Sequence, residues 1–327
     1  YNALAISPAY AQDRTLFAGL DRWGVVKSND GGSTWKEVNN ALTERGNGGS
    51  GVSLSNGAQG NVIGGNSPGK RNVISHNSSY AVVIDGSDTA NNIISGNYIG
   101  TDASGMAPLA NGNGVLIQGG AHHNRIGGPI PGERNVISSN IFSQVQIAGG
   151  AANNAISGNY IGTDASGLHA IRQSETSSGI RIEGGSQYNV IGGATPGEGN
   201  VISATGGVLV GGANNVVVGN YIGTDANGTG NLGNSWNGVS IGGKNNRIGG
   251  PTPAERNVIS GNRYMGIEIN GADAGHNRVV GNYIGTDATG TAAMGNASNG
   301  IGIVLGASEN SIENNVILTS SPDTINL

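Results

Sequence analysis

The chain has 327 residues, of which only 11 % are charged, with 61 Gly, no Cys and a formal net charge of −5. A sparse, slightly acidic charge set offers no basic stripe to neutralise phosphates, which excludes a nucleic-acid face, and the lack of Cys excludes a disulfide framework and thiol chemistry. No apolar run approaches the ~20 residues that a membrane helix requires, so insertion into a bilayer is not expected.

The chain opens at Tyr1 rather than Met, which predicts that a signal segment has been removed or that the chain was excised from a longer protein; a secreted or cell-surface location is the expectation. Residues 1–45 lack the periodicity of the rest and contain SNDGGSTW, Ser28 to Trp35. With its flanks SPAYAQDRTLFAGL and GVVKSNDGGSTWKEVNN, this segment resembles one Asp-box (BNR) repeat of sialidase-like β-propellers. The resemblance implies a small antiparallel blade. Ser28 and Asp30 would bond turn amides, Gly31 and Gly32 would supply positive φ, Thr34 would complete the box and Trp35 would pack beneath it. Such boxes lie away from catalytic centres, so the implied role is structural. A propeller needs about four to eight blades and one blade buries little, so this one is expected to dock on something. A Gly-rich linker, residues 46–51, follows.

From residue 52 to 327 three columns recur in register nine times. Asn stands at 61, 92, 124, 154, 189, 215, 246, 277 and 310, each two residues before an Ile or Val. A second Asn column, at 72, 97, 135, 159, 200, 220, 257, 282 and 315, is followed two residues later by Ile every time. A third column has the form Val-x-Ile and begins at Val52, Val82, Val115, Val145, Ile180, Val208, Val239, Ile267 and Ile301. Three short alternating strands per turn, separated by Gly-Gly, Gly-Asn and Pro-Gly corners, predict a β-solenoid of about nine turns, roughly 43 Å long at the ordinary strand spacing. NYIGTD at Asn97, Asn159, Asn220 and Asn282 alternates with NVIS turns, so the repeating unit is a pair of turns. Stacked Asn amides are predicted to bond from turn to turn in ladders. These repeats resemble the right-handed parallel β-helix of the pectate-lyase-like superfamily, a fold that hosts lyases, hydrolases, epimerases, tailspikes and noncatalytic surface proteins, so the resemblance implies an all-β fold and leaves the activity open.

Catalytic or binding chemistry on a solenoid falls to its outward columns. The outward residue of Val-x-Ile reads Ser53, Val83, Leu116, Gln146, Arg181, Leu209, Ser240, Glu268 and Gly302, and the residue after the motif includes Asp85 and Glu183; no two acids are neighbours in either column. Pectinolytic chemistry calls for stacked carboxylates, as a calcium site or an acid/base pair. Asp102, Asp164, Asp225 and Asp287 recur in the GTD loops, but each loop offers one carboxylate, so Asx-turn chemistry is the preferred reading and calcium the alternative. His122 and His123 read as corner residues, and Arg247 with Arg278 as solvated cations that would otherwise hold an anion. Tyr98, Tyr160, Tyr221 and Tyr283 alternate with Val along one outward face, as a candidate stripe for a sugar or a protein partner, unless the loops after GTD fold over it.

The expected function is a noncatalytic extracellular scaffold without a required cofactor. It would assemble head to tail into a filament or surface layer through the N-terminal blade and the C-terminal end. A polysaccharide lyase or glycoside hydrolase, and a glycan-binding module, are the alternatives.

Overall fold

The computed structural model describes residues 49–172 and 177–318, together with the backbone of four N-terminal strands. Those strands, Ala3–Ile6, Leu16–Leu20, Gly24–Ser28 and Lys36–Glu37, pair in sequence order as an antiparallel sheet. Asp30, Gly31, Gly32, Thr34 and Trp35 of the Asp-box reading lie outside the described residues; the backbone of Ser28 ends the third strand.

The rest is a right-handed-type parallel β-solenoid with three sheets of nine strands each. Eight steps therefore separate the first rung from the ninth. The first sheet carries the Val-x-Ile column, from Val52–Leu54 to Ile301–Val304; the second runs from Val62–Gly64 to Ser311–Glu313; the third, of two-residue strands, runs from Val73–Ile74 to Val316–Ile317. Every rung pairs in register with the next, for instance Val115 with Val145 and Ile161 with Ile202. A parallel strand returns to its own sheet only through a crossover, and here the other two sheets of the same turn make that crossover.

The core is a stack of like on like. Ile84, Ile94 and Ile99 from one turn, and Ile147, Ile156 and Ile161 two turns later, are fully buried. Strand alternation points one set of branched side chains inward, and the tight corners come from positive φ. At the corner before the second sheet, the residue preceding each ladder Asn is left-handed: Asn91 (φ 58), His123 (φ 55), Tyr188 (φ 57) and Glu309 (φ 59) are examples. That conformation is uncommon outside Gly, with Asn and His among the residues that tolerate it best.

Both predicted Asn ladders are present. In the first, each Nδ2 donates to the next Oδ1, from Asn61 to Asn92 at 2.9 Å through Asn277 to Asn310 at 3.0 Å. In the second, the series runs from Asn72 to Asn97 at 2.9 Å through Asn282 to Asn315 at 3.0 Å. A third ladder, at the corner between the third and first sheets, is a structural finding that the sequence reading missed. Asn77, Asn111 and Asn140 form its lower part, and Thr205, Asn234, Asn262 and Asn296 its upper part. Between them Gln144 reaches inward, accepting from Asn140 at 2.7 Å and donating to Ser177 Oγ at 2.6 Å. This substitution of residue types, with the variable loop lengths before it, hid the column from a search for identical residues.

Candidate functional site

The outer face of the first sheet carries a connected set of half-buried polar side chains. Its register aligns Gln146 with Arg181, Leu209 with Ser240, and Ser240 with Glu268, as the column reading expected. In the lower half, Glu183 accepts from Gln146 Nε2 at 2.7 Å and from Arg181 at 2.7 Å, while the Tyr80 hydroxyl reaches Gln146 Oε1 at 3.5 Å. In the upper half, Asn237 Nδ2 donates to Ser240 Oγ at 3.1 Å and to Glu268 Oε2 at 3.0 Å, and Asn270 donates to the same carboxylate oxygen at 2.8 Å.

Beside this polar floor, the corner after the third ladder projects aromatic rings. Trp236 and Tyr264 occupy equivalent places on neighbouring rungs, two residues after Asn234 and Asn262. Their rings stack with centroids 5.5 Å apart and 16° between planes, and they stay 52 % and 45 % exposed. Phe142 is exposed at the same corner lower down. Asn237 fixes the corner, its Oδ1 accepting from the Met265 N–H at 2.9 Å. The third ladder thus sets the position of these rings. Because that ladder went unseen in the sequence, the aromatic corner did too, although Trp236 and Tyr264 each follow an Asn by two residues.

The four GTD aspartates sit elsewhere, over the third sheet. Asp102 accepts from Ser104 Oγ at 2.8 Å and from the N–H groups of Met106 and Ala107, and Asp225 accepts from the N–H groups of Asn227, Thr229 and Gly230. The Ser104 hydroxyl, with the loop amides, holds the Asp102 carboxyl below its usual range. Each carboxylate closes its own hairpin. The loops also stack on one another: Ala165 N–H donates to Gly105 O, Ala226 to Gly167 and Ala288 to Gly228, each at 2.9 Å. Among the described residues, no three His, Cys, Asp or Glu side chains converge as a metal site.

This loop column lies over the tyrosine face. Gly105 packs against the Tyr98 ring, Gly167 against Tyr160, Gly228 against Tyr221 and Gly290 against Tyr283. Arginines stack on three of the rings, Arg71 on Tyr98, Arg134 on Tyr160 and Arg256 on Tyr283, at 3.9–4.1 Å from the centroids. The tyrosines are therefore packed within the wall rather than laid out as a free stripe. The same covering buries Val136, Val201 and Val258, which point away from the solenoid core; Val201 is 4 % exposed.

The remaining candidates are locally engaged. His122 and His123 bond through their Nδ1 atoms at 2.7 Å, at a corner where His123 is left-handed. Arg247 and Arg278 are in register, yet Arg247 pairs with Glu255 at 2.8 Å and Arg278 with Glu313 at 3.4 Å, which removes the free double cation.

No family model matches the sequence, and no curated protein matches it. Among solved structures, the chain is similar to the crystal structure of alginate lyase from Paenibacillus sp. str. FPU-7, with a TM-score of 0.49 and 15 % identity over 81 % of this chain and 86 % of that one. The likeness is one of fold, and polysaccharide lysis is said of that protein.

Proposed function

We propose that this chain is a noncatalytic extracellular scaffold whose first sheet binds an extended polysaccharide. The observation that carries the reading is the stacked, half-exposed Trp236–Tyr264 pair beside the Asn237–Ser240–Glu268–Asn270 network. Flat rings offer apolar area to the faces of sugar rings, while a row of amides, hydroxyls and one carboxylate bonds their hydroxyls. The pair and its network span neighbouring rungs at strand spacing, which suits a polymer lying along the rod. Affinity electrophoresis in gels containing xylan, β-glucan, pectate or alginate tests it. Retardation by at least one polymer that Trp236→Ala abolishes is expected; retardation that survives in Trp236→Ala and Tyr264→Ala alike would overturn the assignment.

A second reading, polysaccharide lysis, is favoured by one feature of the same sheet, the Tyr80–Gln146–Glu183–Arg181 line. Arg181 would neutralise a uronate carboxylate while a neighbouring group removes the adjacent proton and the glycosidic oxygen leaves. Release of ultraviolet-absorbing unsaturated ends from alginate or pectate, lost in Arg181→Ala, would replace the noncatalytic reading.

Head-to-tail assembly belongs to the same proposal and is supported by the last rung. Ile303, Ile312 and Ile317 continue the inward columns of Ile269, Val279 and Ile284, yet they are 42 %, 38 % and 42 % exposed where the residues below are fully buried. Among the described residues no strand pairs above this apolar rung, and such an edge is a surface on which another strand layer adds.

A further inference from the structure

The stack of tyrosines contains one place where the arginine is missing. In the turns below Tyr98, Tyr160 and Tyr283, an Arg immediately precedes the second-ladder Asn. Its guanidinium lies on the ring, and its Nε donates to the carbonyl of the Gly before the next ladder Asn: Arg71 to Gly96 at 3.2 Å, Arg134 to Gly158 at 3.2 Å and Arg256 to Gly281 at 3.1 Å. In the turn below Tyr221 that residue is Gly199. Its backbone packs against the Gly219 carbonyl, a placement that a Cβ would forbid.

The same turn has lost its second arginine. Glu133 and Glu255 are paired with Arg125 and Arg247, whereas in the turn of Glu198 the arginine's column holds Val190. Glu198 is their true equivalent, because its carbonyl accepts from Gly158 N–H at 2.8 Å just as Glu133 accepts from Gly96 and Glu255 from Gly219. Its carboxylate instead accepts from the Thr195 N–H at 3.0 Å and lies beside Gly193. The turns of Arg134 and Arg256 each carry two arginines and one glutamate, and the turn of Gly199 keeps only the glutamate.

What remains is a pocket of about 340 Å³ between Tyr160 and Tyr221, floored by Val201 and walled by Gly193, Gly199 and Gly219. We propose that this pocket binds a guanidinium group supplied from outside the chain, in the position that Arg71, Arg134 and Arg256 fill in the other turns. The Tyr221 ring offers a cation–π face, the Gly219 carbonyl lies in the wall, and the Glu198 carboxylate beside Gly193 supplies the counter-charge. Arg134 also reaches the pocket wall, but its guanidinium sits on Tyr160, two rungs below Tyr221. That spacing, roughly 10 Å, is the one already tolerated between successive arginines of the stack. A planar, weakly hydrated guanidinium stacks on an aromatic ring better than a compact ammonium does, so the site selects between them.

The test is a titration of the full chain, carrying ring-labelled tyrosine, with ethylguanidinium and with ethylammonium at equal ionic strength, followed by NMR. Expected is a saturable shift of the Tyr221 signal, about tenfold tighter for ethylguanidinium, with Tyr98 and Tyr283 unmoved because their own arginines occupy them. Arg256→Gly should open a second site, so that Tyr283 then titrates as well. A capped Gly-Arg-Gly peptide separates the sources: if it binds at Tyr221, the guanidinium comes from a protein arginine, and if it is excluded while ethylguanidinium binds, from a small guanidino compound. The proposal is overturned if Tyr221 does not respond to ethylguanidinium, or responds equally to ethylammonium, in a protein whose Arg256→Gly form shows the Tyr283 response.

Discussion

Asn159 gives both its main-chain N–H and its Nδ2–H to a single atom, Oδ1 of Asn200, each at 3.0 Å. Asn200 repeats this toward Asn220 and also donates to the Ile156 carbonyl at 2.8 Å, so one buried side chain bonds polar groups in the turns on both sides of it.

Removing that side chain should therefore be far more damaging than its size suggests. Asn200→Ala leaves donors of Asn159 and the Ile156 carbonyl without this partner in a buried setting, at roughly 1–3 kcal/mol for each unsatisfied group. Asn61→Ala, at the exposed start of the first ladder, should cost less. Denaturant melts of the two variants check the order, and a smaller loss for Asn200→Ala would refute the ladder's role in stability.

Ile161 is fully buried, and Ile161→Ala is expected to lose roughly 2–5 kcal/mol. Val201→Thr should also destabilise the protein, because Val201 is covered from outside, whereas Val316→Thr on the exposed last rung should be close to neutral. Thermal melts in which Val201→Thr behaves like Val316→Thr would contradict the packing of the loop column over the third sheet.

Acid should weaken the fold in a defined window. The Arg125 guanidinium holds the Glu133 carboxyl below its ordinary value of 4.5, Arg247 does so for Glu255, and Thr289 holds Asp287 below 3.8. Because these folded-state values are depressed, the stabilisation is complete above the unfolded values and is lost as pH falls through the folded ones. The melting temperature should thus be flat on the alkaline side of those values and drop on the acid side. Glu133→Gln combined with Glu255→Gln should flatten the drop, and an unchanged acid limb would remove these pairs as its cause.

End-wise association should depend on the last rung. Ile312→Lys with Ile317→Lys places charge on the exposed continuation of the core, and sedimentation at high concentration should then show only monomer where the parent chain forms larger species. A parent chain that stays monomeric under the same conditions ends the assembly proposal.

The columns of identical residues made the solenoid legible without coordinates: Asn and Ile recur because every turn meets its own copy above and below, so the same side chain solves the same problem nine times. The GTD motif likewise exposed its hairpin, since an Asp followed by Ser, Thr or Asn and then Gly is a local solution independent of the rest of the chain. What the sequence alone could not decide is whatever depends on contacts between unlike residues from different turns. The third ladder mixes Asn, Gln, Ser and Thr because hydrogen bonding constrains donors and acceptors rather than residue names. The tyrosines looked outward by strand alternation, correctly, but only the tertiary structure lays the GTD loops and the arginines over them. Trp236 and Tyr264 lie 28 positions apart and become neighbours solely through the stacking of two rungs. Repetition is thus written in sequence because it is enforced at every turn, while the exceptions, the aromatic corner and the turn of Gly199, acquire meaning only when the turns are laid on one another.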